Sequence, residues 1–572
     1  MRERVGQLLV KNEGYPRGGV PFVSTFHSLG LTLIKENAKL LGYKRTPVIY
    51  DRSDSLREMK QALKSTGHED MEARVALSIV SRRKGEGITL AGFTESAVSH
   101  QERAVASAWR VYEAALREDG AVDFDDLLLR AVELLRIPEV REKCRARWTH
   151  IHVDEYQDTN VIQDALISLL VGPEKNLCVV GDVDQTIYGW RGAQIENMLQ
   201  FEKKYGAEVL LLEQNYRSTK NILDAANHLI AFNPNRPEKN LRTENAPGEL
   251  LSLYIAGDGG DEALFVARTT QELLRKGAQP QDIAVLYRAN FQSRAIEEKL
   301  LDAGIPYQVL GTRFFDRKEV KDALSFLRAS ITENMADLGR VIDTMAGMGK
   351  VTKLKILSGQ EGALPAKMRE RVAGMRGTLQ KIRESAALLT PSKLVRFVIA
   401  ESGIGESLKA DKIEGGERLE NLAELVSLAS RYDAFPIPEG LEKFLESAAL
   451  ASDQDEMKEE RNQVRLMTVH AAKGLEFPYV FIVGLEAGLF PYEREDESGS
   501  GVEEERRLMY VALTRAKKKV YLSYAMMRTI FGSTDLRQNS RFLEELPGEL
   551  LEAVDPERVG GKKKGYLDDI DF

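Results

Sequence analysis

The sequence predicts an α/β protein of two parallel-sheet domains, each interrupted by a mostly helical insertion. Three observations carry that expectation. Short apolar runs bounded by turns, "THIHVDE", "NLCVVGD" and "AEVLLLEQN", read as buried strands of a parallel sheet with helices between them. Strand-like runs return later as "DIAVLYRAN" at 282–290, "VRLMTVH", "YVFIVGL" and "KKVYLSYA". Between these groups, two long blocks show apolar residues at three- and four-residue spacing, the mark of amphipathic helices.

The elements follow in order. "FVSTFHS", from Phe22 to Ser28, reads as a strand tip opening into a helix. From about Leu31 to Trp148 the pattern is helical, as in "FDDLLLRAVELLRIPEVREK". The first group of strands comes next. From about Arg313 to Met457 the pattern is helical again, with stretches such as "GERLENLAELVSLASRY". The second group of strands follows. After about Glu552 the chain is rich in Gly, Lys and Asp and is expected to be disordered. A chain of 572 residues is too long for one core, so several domains are required.

Bulk composition narrows the function classes. Apolar content of 43% and charged content of 29% are ordinary for a globular protein. The net charge of −8 gives no global basic signature, which argues only against a non-specific polyanion binder. Cys144 and Cys178 form no pairing pattern, and a reducing, cytoplasmic setting is expected. The histidines lack zinc-ligand spacing. "MRERVGQLLVKNEG" lacks the apolar core of a signal peptide, and "YVFIVGLEAGLF" is too short and too charged to span a membrane.

Chemistry concentrates at strand ends. In "HVDEYQDTN", Asp154 and Glu155 follow an apolar run. Such acids are either solvated turn residues or hold a cation, with the Asp on Mg²⁺ and the Glu orienting and deprotonating a water. "CVVGDVDQTIYGWRGA" brings Asp182, Asp184 and Gln185 to the next strand end. A Gln there can sense a phosphate. Tyr188, Trp190 and Arg191, in a Gly-rich polar setting, suit base stacking and a phosphate contact, the alternative being core aromatics. "LEQNYRS" supplies Tyr216 and Arg217, "VRLMTVHAAKGLEFPYVFIVG" supplies His470, Lys473, Gly474 and Glu476, and "EEERRLMYVALTRAKKKVYL" supplies Arg515 on a helix. Taken singly, these are surface charges or turns.

In this order, with "AVLYRANFQSR" and "LMTVHAAKGLEFPYVFIVGLEAGLFP", the blocks resemble the UvrD/PcrA/Rep branch of superfamily 1 DNA helicases, from Met1 to about Pro547. The resemblance implies two RecA-like domains. The first, 1A, would comprise 1–30 and 149–213, with helical insertion 1B at 31–148. The second, 2A, would comprise 214–312 and 458–547, with insertion 2B at 313–457 and a tail at 548–572. It implies an ATP-dependent 3′–5′ helicase or translocase of repair or replication, with ATP and Mg²⁺ as cofactors. Asp154, with Glu155, would hold Mg²⁺, and Glu155 would be the general base. Gln185 would link the γ-phosphate to DNA, and Tyr216 would stack on adenine. Arg217 and Arg515 would contact the γ-phosphate from across a cleft, so that hydrolysis reopens it. Glu476 would lie near the ribose. Thr25, Phe26, His27, Tyr188, Trp190, Arg191 and His470 would line a single-strand track. Implied partners are single-stranded DNA, single/double-strand junctions and repair proteins, with no membrane, for a monomer or a DNA-induced dimer.

The sequence also departs from the family pattern. The family's phosphate loop, G-x-x-x-x-G-K-S/T, is not matched: the Gly-Lys pairs, Gly349-Lys350 and Gly561-Lys562, precede neither Ser nor Thr. The first domain is therefore expected to be N-terminally truncated, with a mis-started gene as the favoured cause and weak ATP hydrolysis as the consequence. In the second insertion, "DTMAGMG" stands where the family has a T-x-x-R-G-I-G-like turn on duplex DNA, without its Arg. "YLDDIDF" resembles the acidic tip of single-stranded-DNA-binding proteins, the alternative being a solvating end. Two other classes stay open: a single-strand binder without turnover, and a helicase–nuclease subunit, which would need a further acidic nuclease domain.

Overall fold

The computed structural model describes residues 5–6 and 21–555, apart from 51, 190–191, 235, 237–238, 311–313, 333–334, 346–347, 349, 412–414, 454–461, 493–499 and 531–532. Trp190, Arg191, much of "DTMAGMG" and the "YLDDIDF" tail lie outside those residues. The chain divides into two units, Met1–Val209 and Leu210–Phe572.

The first unit is mostly helical. Helix Phe26–Asn37 packs against helix Phe124–Arg136, burying Leu33, Ile34, Leu127, Ala131 and Leu134. Gly30 makes this approach possible, since a methyl there would collide with the Leu127 carbonyl. A second core gathers Met59, Leu63, Val80, Phe93, Trp109 and Tyr112 from helices Arg52–Ser65, Ala73–Gly85, Leu90–Ser96 and His100–Asp119. Two of the starts have a local cause: Ser99 and Glu102 form a reciprocal cap, and Asp123 accepts the Asp126 amide. Strands β1 (Val48–Ile49) and β2 (Ala121–Val122) pair in parallel between these helices.

The strands that position chemistry are β3 (Ile151–Val153) and β4 (Leu177–Val179), paired in parallel with Ile151 opposite Leu177. Helix Val161–Leu170 connects them, started by the reciprocal Asn160–Gln163 cap. Against expectation this pair is not fully buried, because His152, Cys178 and Val180 stand open to solvent. Two further expectations are corrected. Residues 21–25 form no strand, and Thr25 instead caps the helix at Phe26, accepting the Ser28 amide at 3.3 Å. Within "AEVLLLEQN" only Gln214–Asn215 pairs as a strand, while Val209 to Leu212 are exposed. That apolar run has no neighbouring strand among the described residues to supply ladder bonds and cover.

In the second unit, β5 (Gln214–Asn215) pairs in parallel with β6 (Arg242–Thr243). Its main sheet is built from β7 (Leu251–Asp258), β8 (Ile283–Tyr287), β9 (Tyr307–Val309), β10 (Val464–Thr468), β11 (Phe477–Ile482), β12 (Ala516–Ile530), β13 (Ser533–Leu536) and β14 (Leu551–Ala553). The order is β14-β7-β12-β11-β8-β10-β9, all parallel, with β13 antiparallel on β12, so residues 551–553, expected in a disordered tail, instead form an edge strand. β8 is buried along its whole length, as its continuous apolar run requires. Helices from Lys318 to Asp453 leave the sheet after β9 and return before β10, around a core that includes Phe314, Leu327, Ile382, Leu425 and Phe444. Mixed α/β architecture with a large parallel sheet and abundant helix is therefore observed. No helix among the described residues is long and apolar enough to cross a membrane.

Candidate functional site

The first unit places its acids at the carboxyl ends of β3 and β4, where parallel sheets present ligand sites. Asp154 leaves β3 exposed, its Oδ1 accepting the Glu155 amide at 3.0 Å. Glu155 has φ 53, the left-handed region, which costs a non-glycine residue about 1–3 kcal/mol and is concentrated at functional sites. What holds it there lies beneath. Gln157 is fully buried, donates from Nε2 to Glu155 Oε2 at 2.6 Å, and accepts the Asp182 amide on Oε1 at 3.0 Å. Asp182 Oδ2 accepts from Gln185 Nε2 at 2.8 Å. One network thus joins Glu155, Gln157, Asp182 and Gln185 across the two strand ends.

The same turn is fixed from the core side. Buried Tyr156 donates to Asp164 at 2.6 Å, and Lys204 pairs with that carboxylate at 2.6 Å. Asn197 Nδ2 donates to the Thr159 carbonyl at 3.0 Å, securing the chain that follows Gln185. Tyr188 is half-buried in that chain. Thr25, Phe26 and His27 open helix Phe26–Asn37, and the His27 ring meets exposed Phe124 edge-on at 6.1 Å. Burial holds His27 below the ordinary histidine range, so it is neutral at pH 7.

The second unit gathers a different set. Asn215 Oδ1 accepts the amides of Arg217 and Ser218 at 2.9 Å each, a tight turn that leaves Tyr216 83% exposed. Ser218 Oγ donates to the Ala516 carbonyl at 2.7 Å, and the Thr219 amide to that of Lys517 at 3.1 Å, lacing this turn to the start of β12. Arg217 Nε then reaches Glu476 Oε2 at 2.6 Å, and its Nη1 the Thr514 carbonyl at 3.1 Å. Hydrogen bonds from Lys517 and then Arg217, with the charge of both cations, hold the Glu476 carboxyl below the usual carboxylate range. Arg515 is buried, donating to the carbonyls of Val511 and Leu475 and to Thr514 Oγ1. It lies beyond the end of helix Ser500–Leu513 rather than on it, in the turn into β12.

Tyr216, Arg217, Glu476 and Arg515 are therefore brought together at the amino ends of β11 and β12, where Phe477 stands opposite Ala516. His470 is not among them. It follows the carboxyl end of β10, on the opposite edge of the same parallel sheet. Sequence reasoning missed Gln157 and Lys517 as site residues. The signal for Gln157 was its place two residues after Glu155, in a turn where a buried amide must find partners. Lys517 carried no signal beyond its basic neighbours.

A metal fits the first set chemically. Asp154 Oδ2 is a hard oxygen donor with no protein partner among the described residues. No group of three or more His, Cys, Asp or Glu residues there forms a complete cage. Such sparse ligation suits Mg²⁺, which takes one or two carboxylates and completes its shell with water and phosphate.

Comparison with known proteins agrees across the chain. The family described as UvrD/REP helicase N-terminal domain matches residues 1–206, and the UvrD-like helicase C-terminal domain matches 210–365 and 352–527. The ATP-dependent DNA helicase PcrA of Bacillus subtilis (strain 168) is 39% identical, across 98% of this chain and 79% of its own length. PcrA of Staphylococcus aureus (strain Mu50) is 39% identical, across 96% and 78%, and that of Staphylococcus epidermidis 38% identical, across 93% and 77%.

Proposed function

The chain belongs to the UvrD/REP helicase family, and from that membership we propose that it is an ATP-dependent DNA helicase of repair or replication, moving 3′ to 5′ on single-stranded DNA. The observation that carries the catalytic part is the Glu155–Gln157–Asp182–Gln185 network. It supports a base, Glu155, and a sensor, Gln185, coupled through one buried amide. Magnesium-bound ATP supplies the phosphoanhydride bond to be broken. Asp154 holds the metal, Glu155 orients and deprotonates the attacking water, and Gln185 reads the terminal phosphate. In the second unit, Arg217 and Arg515 stabilise phosphate charge, Tyr216 offers an exposed face for the adenine, and Glu476 is placed for the ribose. Thr25, Phe26, His27, Tyr188, Trp190, Arg191 and His470 contact the strand, stacking being indifferent to base identity. Single/double-strand junctions are the structural target, and repair proteins are the proposed partners. The four-part division given above, with insertions at 31–148 and 313–457, remains our assignment of the domains.

A second reading has its own observation. The 572 residues contain no G-x-x-x-x-G-K-S/T loop, so the polypeptide as written is proposed to turn over ATP weakly and to retain strand binding. One experiment separates the two. Purified residues 1–572 are tested for ATP-dependent unwinding of duplexes with a 3′ or a 5′ tail, with Glu155→Gln as control. Unwinding of the 3′-tailed substrate alone, lost in Glu155→Gln, establishes the motor. Strand binding that ignores ATP, without unwinding, establishes the passive reading. Preference for the 5′ tail overturns the proposed polarity.

A further inference from the structure

We propose that Lys517 is a positioning residue for Arg217, acting through Glu476 to keep one end of the guanidinium available to phosphate. This rests on the reading of Arg217 as a phosphate contact. The Glu476 carboxylate divides its two oxygens between two cations. Oε1 takes Lys517 Nζ at 2.6 Å, and Oε2 takes Arg217 Nε at 2.6 Å. Arg217 is also tied through Nη1 to the Thr514 carbonyl at 3.1 Å. The guanidinium is thus held at Nε and Nη1, while Nη2, the nitrogen that would join Nε in a two-oxygen grip, has no protein partner among the described residues. A carboxylate facing an arginine alone prefers to grip it with both oxygens, in two parallel N–H···O bonds. Lys517 prevents that by occupying Oε1. Its hydrogen bond is the largest single influence on that carboxylate.

The main chain makes the arrangement a unit. The Thr219 amide donates to the Lys517 carbonyl at 3.1 Å, so the lysine and the Arg217 turn share one backbone contact. Lys517, Glu476 and Arg217 are each partly exposed, with side-chain exposures of 38%, 43% and 31%. Direct stabilisation of the fold by these pairs is therefore small. Their effect lies in where the guanidinium points.

The test uses inorganic tripolyphosphate with Mg²⁺ as the probe, measured by calorimetry on the full chain. It carries no ribose, so any contact of Glu476 with a sugar drops out. Lys517→Met is expected to weaken tripolyphosphate binding about tenfold, the equivalent of one charge-assisted hydrogen bond. Lys517→Arg should stay within about twofold of the parent, because a guanidinium can still occupy Oε1. Glu476→Gln placed on Lys517→Met should restore binding, since no carboxylate remains to grip Arg217. Failure of that restoration means the lysine touches phosphate itself, and overturns the proposal. If the parent chain binds no tripolyphosphate, the phosphate reading of Arg217 falls, and a second readout decides the positioning role. Carbon-13 titration of the Glu476 carboxyl should show its midpoint rising in Lys517→Met. An unmoved midpoint overturns the proposal whatever the ligand result.

Discussion

Gln157 donates to Glu155 across 2.6 Å from a side chain with no solvent exposure, and its other amide atom receives the backbone of Asp182. The carboxyl ends of two parallel strands are therefore held in register by one buried amide. Gly181 is part of the same fit, since a methyl there would lie 2.5 Å from Gln157 Oε1.

Gln157→Leu should lower stability by about 1–3 kcal/mol, because the Asp182 amide loses its acceptor in a buried setting. Urea denaturation followed by circular dichroism gives the number. Gly181→Ala should cost a similar amount in the parent and much less in the Gln157→Leu background, where the colliding oxygen is gone. Equal costs in both backgrounds would show that Gly181 is constrained by something else.

Gly30 tests the helical part of the first unit. The Leu127 carbonyl occupies the space a side chain would need, so Gly30→Ala must push helix Phe26–Asn37 away from helix Phe124–Arg136. Overpacking of this kind costs about 1–3 kcal/mol. Because Thr25 and His27 ride on the first helix, single-strand affinity measured by fluorescence anisotropy should fall alongside stability. A stable variant with unchanged affinity would separate that helix from strand binding.

Asp154, Glu155, Gln185, Arg217, Glu476 and Arg515 were legible as candidates because each sits in a short block whose order along the chain is itself informative. Strand β8 was legible because a continuous apolar run bounded by turns is what a doubly covered strand looks like, and β10 and β11 because their runs are mostly apolar. The same pattern misled at Val209–Leu212. An apolar run states that cover is wanted, whereas pairing depends on a neighbour from elsewhere in the chain, which the local pattern does not carry. Gln157 and Lys517 escaped for a related reason, since their roles are contacts to residues that only folding brings near. Arg515 was expected on the helix because the helix pattern of "RRLMYVAL" runs into it without a breaker, whereas the helix ends at Leu513.

A buried lysine anchors the first helical block. Lys84 Nζ lies 2.8 Å from Asp123 and 2.9 Å from Asp126, with Tyr112 also donating to Asp123. Burial opposes its charge, but the carboxylates of Asp126, Asp123 and Glu113 outweigh that and raise its pKa. The contribution of a raised lysine is complete below its unfolded pKa of about 10.4, so the parent should be insensitive to this group from pH 6 to 9. Lys84→Met leaves carboxylates buried without their cation and should cost about 3–5 kcal/mol at pH 7. Burial already raises the Asp126 carboxyl and Lys84 opposes that, so without the cation Asp126 titrates higher still and the variant should recover stability as pH falls toward 5. Denaturation across that range checks both the size and the slope, and a loss independent of pH would mean that packing, not charge, is what Lys84 supplies.

Glu424 offers the opposite sign in the second unit. It lies on helix Gly415–Ser430, which packs against β12 and the 290–292 turn and whose Asn421 takes the Arg317 guanidinium at 2.7 Å. Burial pushes the Glu424 carboxyl up to about 7, although Arg294, Arg431, Arg528 and Arg317 all pull it down. The unfolded value is about 4.3. Between those limits the folded chain retains a proton that the unfolded chain has released, so this group makes stability fall as pH rises from about 4.3 to about 7. Glu424→Gln keeps the shape and removes the titration. It should match the parent near pH 4, below the unfolded value, and exceed it at pH 8 by on the order of 1–3 kcal/mol, the usual scale for relieving a largely buried charge. Should the two proteins instead stay parallel across that range, the four arginines hold the carboxylate ionised, and the helix is seated by charge rather than in spite of it.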